Sequence, residues 1–180
     1  MTTAPAPATA PAVHEPYVNW RPPLVWTAVV VRVGSGHMLL RQFPKGAVLV
    51  PGSPVLGDRT PSQAAPQALR GPGSEQLILR PVLIDERQLA RRKVTVHTFV
   101  SEPLSRRTAR KLRPADNQST SVILPRQKAL QTLPARARLR TQFALAIPEF
   151  HETGVLEWRS WRHPDGRLGM PAGWPPAGER

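Results

Sequence analysis

Cysteine is absent from the 180 residues, which excludes disulfides and thiolate metal sites. Long apolar runs are absent as well. Nothing approaches the roughly 18 residues that a membrane-spanning helix needs, so no membrane association is expected. The opening stretch MTTAPAPATAPAV has neither the basic segment nor the apolar core of a secretory signal. A soluble, cytoplasmic protein is the expectation. Acids are scarce: 12 Asp and Glu stand against 25 Lys and Arg. Chemistry that depends on paired carboxylates or carboxylate-bound metal therefore has few residues to draw on.

What is abundant is arginine. The basic set comprises 21 Arg and 4 Lys, and the net charge is +13. Two readings of that excess stay open. One is a surface for phosphates, nucleic acid or an acidic partner, because the guanidinium fork grips phosphate bidentately. The other is a compositional bias in which Ala, Arg, Pro and Gly rise together. Apolar residues, 40% of the chain, gather between about residues 24 and 147, enough for one core.

Along the chain, residues 1–22 are Ala/Pro-rich and read as a disordered arm that Tyr17 and Trp20 could dock. LVWTAVVVRV (24–33) is too apolar for a strand with one wet face. GSG and HMLLRQF (37–43) follow, which predicts a hairpin. AVLV (47–50) predicts a short strand that Pro51-Gly52 ends. Thr60 and Pro61 suit a helix start and Gly71 a helix stop, but Pro66 lacks an N–H and kinks the helix or delays it. Residues 77–86, interrupted by Pro81, and 93–102 predict strands. Residues 126–133 and 134–147 predict helices, the second with Leu139, Phe143 and Ile147 on one face. Residues 148–180, rich in Trp, Pro and Gly, read as an irregular extension. Within it Trp158, Arg159, Trp161 and Arg162 alternate, a shape suited to a sheet edge or a partner.

This order of elements, with PGSPVLGDRTPSQAAPQALRGPGSE at residues 51–75, resembles the Nudix hydrolases over roughly residues 24–147. Their signature is G-x5-E-x7-R-E-U-x-E-E-x-G-U, with U a bulky aliphatic. Gly52 matches the first Gly and Asp58 the first acid. Pro66 and Gln67 fall where Arg-Glu belong, Ala68 takes the aliphatic place, Arg70 and Gly71 replace the paired glutamates, and Gly73 is the second Gly. Further on, LRPADNQSTSVILPRQKALQTLP resembles the segment that carries a family acid and a recognition helix. The resemblance implies an α/β protein, a Nudix-like α/β/α sandwich with a mixed β-sheet. It also implies a 23–147 domain between the arm and the 148–180 extension.

The same resemblance implies chemistry that these residues do not sustain. Nudix enzymes split nucleoside diphosphates linked to another group, using Mg²⁺ held by helix carboxylates, and magnesium wants several hard oxygens. One acid, Asp58, survives in the box. Asp116, beside Asn117, is the one carboxylate left downstream, so Asp58 with Asp116 is the acid pair open to a residual enzyme. Arg70 reads either as an ordinary surface arginine or as a guanidinium in the metal's place, pairing directly with a diphosphate. On the second reading Arg70, Gln67, Arg41 and Gly52 form the ligand-binding set. The expected function is therefore binding, without a cofactor, of a nucleotide, a diphosphate-containing ligand or an acidic protein. The alternatives are a divergent hydrolase that recruits Mg²⁺ ligands from outside the box, and a basic nucleic-acid-binding accessory. For the last, Arg91, Arg92 and Lys93 form one basic group, and Arg106, Arg107, Arg110, Lys111 and Arg113 a second. His97 reads as a strand histidine or a base. His151, His163 and Asp165 are too scattered for a metal, and Asp85 with Glu86 reads as a loop boundary.

Overall fold

The computed structural model describes residues 21–75, 77–89, 91–146 and 156–159. Tyr17, Trp20, Ile147, His151, Trp161, Arg162, His163 and Asp165 lie outside the described residues. In chain order the strands are β1 (Leu24–Val33), β2 (His37–Gln42), β3 (Val48–Leu49), β4 (Gly52–Pro54), β5 (Leu69–Arg70), β6 (Leu79–Leu89), β7 (Arg92–Ser101), β8 (Arg113–Pro114), β9 (Thr120–Pro125) and β10 (Leu156–Arg159). The helices are α1 (Pro61–Ala64), α2 (Arg106–Ala109), α3 (Arg126–Thr132) and α4 (Ala135–Ala146), and a 3-10 turn over Ala65–Ala68 continues α1.

The apolar run of β1 has the placement its composition demands. From Thr27 to Val31 every residue is buried, because both faces of the strand are covered. Ala28 and Val30 face a layer that contains Ala129 and Leu133 of the α3 region and Phe143 and Ala144 of α4. Val29, Val31 and Val33 face the opposite layer, with Ala65 and Ala68 of the 3-10 turn, Ala109 of α2, and Leu112. The result is an α/β/α sandwich around a mixed sheet of order β10-β6-β7-β1-β2-β3, with β4 on β1 and β9 on β2. β1 runs parallel to β7 and antiparallel to β2; β6 is antiparallel to β7. β5 and β8 form a separate two-stranded ladder.

Several sequence expectations are corrected here. The helix predicted to run toward Gly71 stops early. Thr60 and Gln63 make a reciprocal capping box on α1, but Pro66 leaves only a 3-10 turn, and Leu69 is already extended. β6 is not interrupted at Pro81. The strand continues across a register shift between Pro81 and Leu83, a bulge that accommodates the missing N–H. Residues 156–159 are not irregular: they form β10, parallel to β6.

Asp85 and Glu86, read as a loop boundary, lie in the middle of β6. Asp85 is fully buried. Arg136 on α4 holds both of its carboxylate oxygens, with Nε 3.0 Å from Oδ2, and Arg140 one turn later donates to Oδ2 at 3.1 Å. Positions 136 and 140 share a helix face, so α4 is fixed to the sheet by this cluster as well as by Phe143. Burial pulls the Arg140 guanidinium below its usual range, and the Asp85 charge opposes that.

Removing one partner of a buried ion pair leaves uncompensated charge, at a cost of about 3–5 kcal/mol. Asp85→Asn is therefore expected to lower stability by about that amount, read from the denaturant midpoint at unchanged m-value; an unshifted midpoint would contradict the role assigned to this carboxylate. A second expectation concerns His97, half-buried on β7 between Ile84 and Thr27. Burial lowers its pKa from the usual 6.5, with Glu86 opposing. Below about pH 6.5 the unfolded chain thus binds the proton more readily, and stability falls as pH drops. Chemical denaturation between pH 7 and 5 should show this loss in the wild type and a flatter profile in His97→Gln.

Candidate functional site

The ladder of β5 on β8 sets the site. Leu69 is buried in the second core layer, as is Leu112 just before β8, so both strands are anchored from beneath. In register, Leu69 faces Pro114 and Arg70 faces Arg113. The next residue, Gly71, has φ +116°, and a Cβ there would lie 2.4 Å from the Lys111 carbonyl oxygen. Only glycine allows the two backbones to approach so closely. Ser105 caps α2 by accepting from the Thr108 N–H at 3.0 Å. With Ala109 buried, Arg106 and Arg110, four positions apart, share a helix face.

These elements border a cleft of about 670 Å³, lined by Arg70, Arg106, Arg110 and Arg113 and by polar residues between Asp116 and Ser121 other than Gln118. Arg70 Nη2 donates to Asn117 Oδ1 at 2.6 Å. Arg113 Nη1 donates to the carbonyls of Arg110 and Leu112 at 2.6 and 3.0 Å. Asp116 is the one carboxylate in the lining, and it is engaged. It accepts from Arg41 Nη1 at 3.0 Å, Ser119 Oγ at 2.9 Å and the Gln118 N–H at 3.0 Å. Partial burial pushes its pKa up, but the donors from Ser119, Arg41 and Gln118 prevail and hold it below the usual carboxylate range. It is ionised at neutral pH and a poor proton acceptor. Arg41 also lies over the Phe43 ring at 5.1 Å, and its buried Nε has no acceptor among the described residues.

Like charges directly opposed across two strands destabilise them. Arg70 and Arg113 stand that way, and two further guanidiniums line the same cleft. All four are exposed, which leaves a surplus of forked donors for an anion with several oxygens.

Of the residues singled out from sequence, Arg70, Asp116, Arg106, Arg110 and Arg113 meet at this cleft, and Arg41 reaches it through Asp116. Arg70 lies on a strand, not at the end of a helix as expected. Asp58, Gln67 and Gly52 are outside the lining. Asp58 is on an exposed turn, and Gln67 accepts a hydrogen bond from Arg59. Gly52 pairs with Ala28, where a Cβ would meet the Thr27 carbonyl oxygen at 2.3 Å and Trp26 Nε1 at 2.5 Å. Its role there is close packing of β4 on β1. Arg107 and Lys111 do not line the cleft either. Arg91, Arg92 and Lys93 sit at the start of β7 and the second basic group follows its end, about 30 Å away along a ten-residue strand. Lys93 is paired with Glu86 at 3.0 Å. Ser119, Thr120 and Ser121, which also line the cleft, were not singled out from sequence. The uninterrupted polar run 116–121 was the available signal.

The fold implies a magnesium site, and the donor set does not fit one. The box positions that should supply carboxylates hold Asp58, Gln67, Arg70 and Gly71, spread over a turn, a 3-10 turn and a strand. Among the described residues no three His, Asp or Glu side chains gather where they could hold a metal.

No protein-family model matches the chain, and no curated protein matches it either. Solved structures do. The ORF135 protein of E. coli superposes with a TM-score of 0.54 at 15% identity, over 73% of this chain and 95% of that one. A mutator MutT protein from Bacillus halodurans gives 0.54 at 12% identity, over 81% and 94%. A NUDIX hydrolase from Nitrosomonas europaea gives 0.53 at 8% identity, over 78% and 80%. Identities this low speak to architecture alone, and on that point they agree with the element order and the sandwich: this chain has the Nudix hydrolase fold.

Proposed function

We propose that the protein binds a phosphate-bearing ligand, a nucleotide or a diphosphate, in the arginine-lined cleft and does not carry out magnesium-dependent hydrolysis. The observation that carries this reading is the opposition of Arg70 and Arg113 across β5 and β8, with Arg106 and Arg110 and a single, already engaged carboxylate in the same lining. Phosphate oxygens accept from guanidinium forks in short, charge-assisted hydrogen bonds. In this cleft the four arginines bind and orient the anion, while the amide of Asn117, which Arg70 holds, and the hydroxyls of Ser119, Thr120 and Ser121 line the same space.

Two alternatives have less support. A divergent hydrolase needs further carboxylates, and Asp116 alone neither builds a metal site nor serves as a ready base. An extended nucleic-acid track needs continuous basic surface, and the two basic groups lie at opposite ends of β7. An acidic protein could use the same arginines, but a concave cleft suits a compact anion better than a flat surface does.

Calorimetry with ADP and with pyrophosphate, in EDTA, tests the proposal. The wild type is expected to bind both. Arg70→Glu, which removes a charged hydrogen bond and adds repulsion, should weaken binding by about tenfold or more, while Arg107→Glu should change it little. Absence of heat for the wild type, or equal heats for wild type and Arg70→Glu, sinks the reading. So does Mg²⁺-dependent cleavage of nucleoside diphosphate sugars that Asp58→Ala abolishes.

A further inference from the structure

We infer that this cleft excludes divalent metal through its backbone, not merely through missing carboxylates, and that it takes phosphate groups free of bound metal. The second half rests on the ligand reading above; the first stands independently.

Pro66 sets the course of the backbone. In an unbroken helix, positions 67, 70 and 71 would lie on one face, three and four residues apart. Here Gln67 ends up in a 3-10 turn, Arg70 in a strand, and Gly71 at φ +116° beyond it. Any side chain at 71 adopts an unfavourable φ and places its Cβ 2.4 Å from the Lys111 carbonyl oxygen. A carboxylate can enter there only by opening the β5–β8 ladder, and that ladder holds Arg70 beside Arg113. The metal position and the arginine pair are thus mutually exclusive conformations of one segment.

The consequence for the ligand follows from charge and valence. A magnesium-chelated diphosphate carries less negative charge than the bare anion, and the metal occupies oxygens that guanidinium forks need. Arg70, Arg106, Arg110 and Arg113 also repel the cation itself. The chemistry favoured is bare phosphate oxygens: pyrophosphate, inorganic phosphate or a terminal phosphomonoester.

Three measurements on the full chain test this. Electron paramagnetic titration with Mn²⁺ should show no saturable site tighter than on the order of 1 mM, in the wild type or in the double variant Arg70→Glu/Gln67→Glu; one equivalent bound by that variant overturns the backbone argument. Gly71→Ala should lower Tm well beyond Gly46→Ala, since Gly46 has φ +83°, also outside the usual left-handed region, but nothing within 4 Å of its Cβ direction; equal shifts overturn the crowding claim. Pyrophosphate binding should weaken by about tenfold or more when excess Mg²⁺ replaces EDTA, and unchanged or tighter binding with Mg²⁺ refutes the preference for bare phosphate. No heat in EDTA would instead remove the ligand reading, leaving metal exclusion to the Mn²⁺ and glycine measurements.

Discussion

Strand β1 is buried on both faces, and the rest of the molecule is arranged around the polar and steric demands that this makes. Its one buried hydroxyl, Thr27, accepts from the Ser53 N–H at 3.2 Å and is hydrogen-bonded to Ser53 Oγ at 2.9 Å. Ser53 Oγ in turn donates to the Ala64 carbonyl at 2.7 Å, at the end of α1. Buried polar groups must be satisfied, so this chain of bonds fixes β4 on β1 and α1 on β4. Gly52 is required for the same reason, since a Cβ would strike the β1 backbone. With α1 pinned there and Pro66 just beyond it, the chain has to leave the helix at Ala68, and Arg70 arrives on a strand facing Arg113.

Arginine serves two opposite ends in this fold. Around Asp85 the carboxylate is fully buried and satisfied: the half-buried Arg136 and Arg140 hold it through three hydrogen bonds that dock α4 onto the sheet. At the cleft the charges are partly solvated and in surplus, with four guanidiniums lining the space and Asp116, 30% exposed, already held by Arg41. Desolvation explains the contrast. A buried guanidinium is tolerated only with its counter-ion, whereas one at a cleft wall keeps water until an anion replaces it. The first cluster is a stability feature; in the second, Arg70 and Arg113 bond Asn117 and the carbonyls of Arg110 and Leu112, and Arg106 and Arg110 stand exposed beside them.

The net charge of the whole chain therefore says less about function than its distribution does. Lys93 is paired with Glu86, and the Arg91–Lys93 group is a β7 length from the cleft. What sets the cleft apart is convergence of cations from β5, β8 and the α2 region on one concavity that also holds the Asn117 amide and three hydroxyls.

The sequence by itself determined the local elements and, through the order of those elements, the fold. The β-branched runs became β1 and β7, Thr60 and Gln63 capped α1, and Pro134 precedes an α4 that buries Phe143. Such features depend on neighbours within a few residues, where backbone sterics and hydrophobic period act. Solved structures of the Nudix fold agree with the architecture that the degenerate box implied. Of the site, Arg70 and Asp116 were legible through that resemblance, and Arg106, Arg110 and Arg113 as members of a basic cluster. Only the tertiary structure decided that Arg70 stands opposite Arg113 and touches Asn117, 47 residues away in the chain. The same holds for Asp85, fully buried against α4 and not at a loop edge. Gly71, too, proved to be where two backbones touch. Each of these rests on a contact between distant segments, and a contact of that kind leaves no periodic trace in the sequence around either partner.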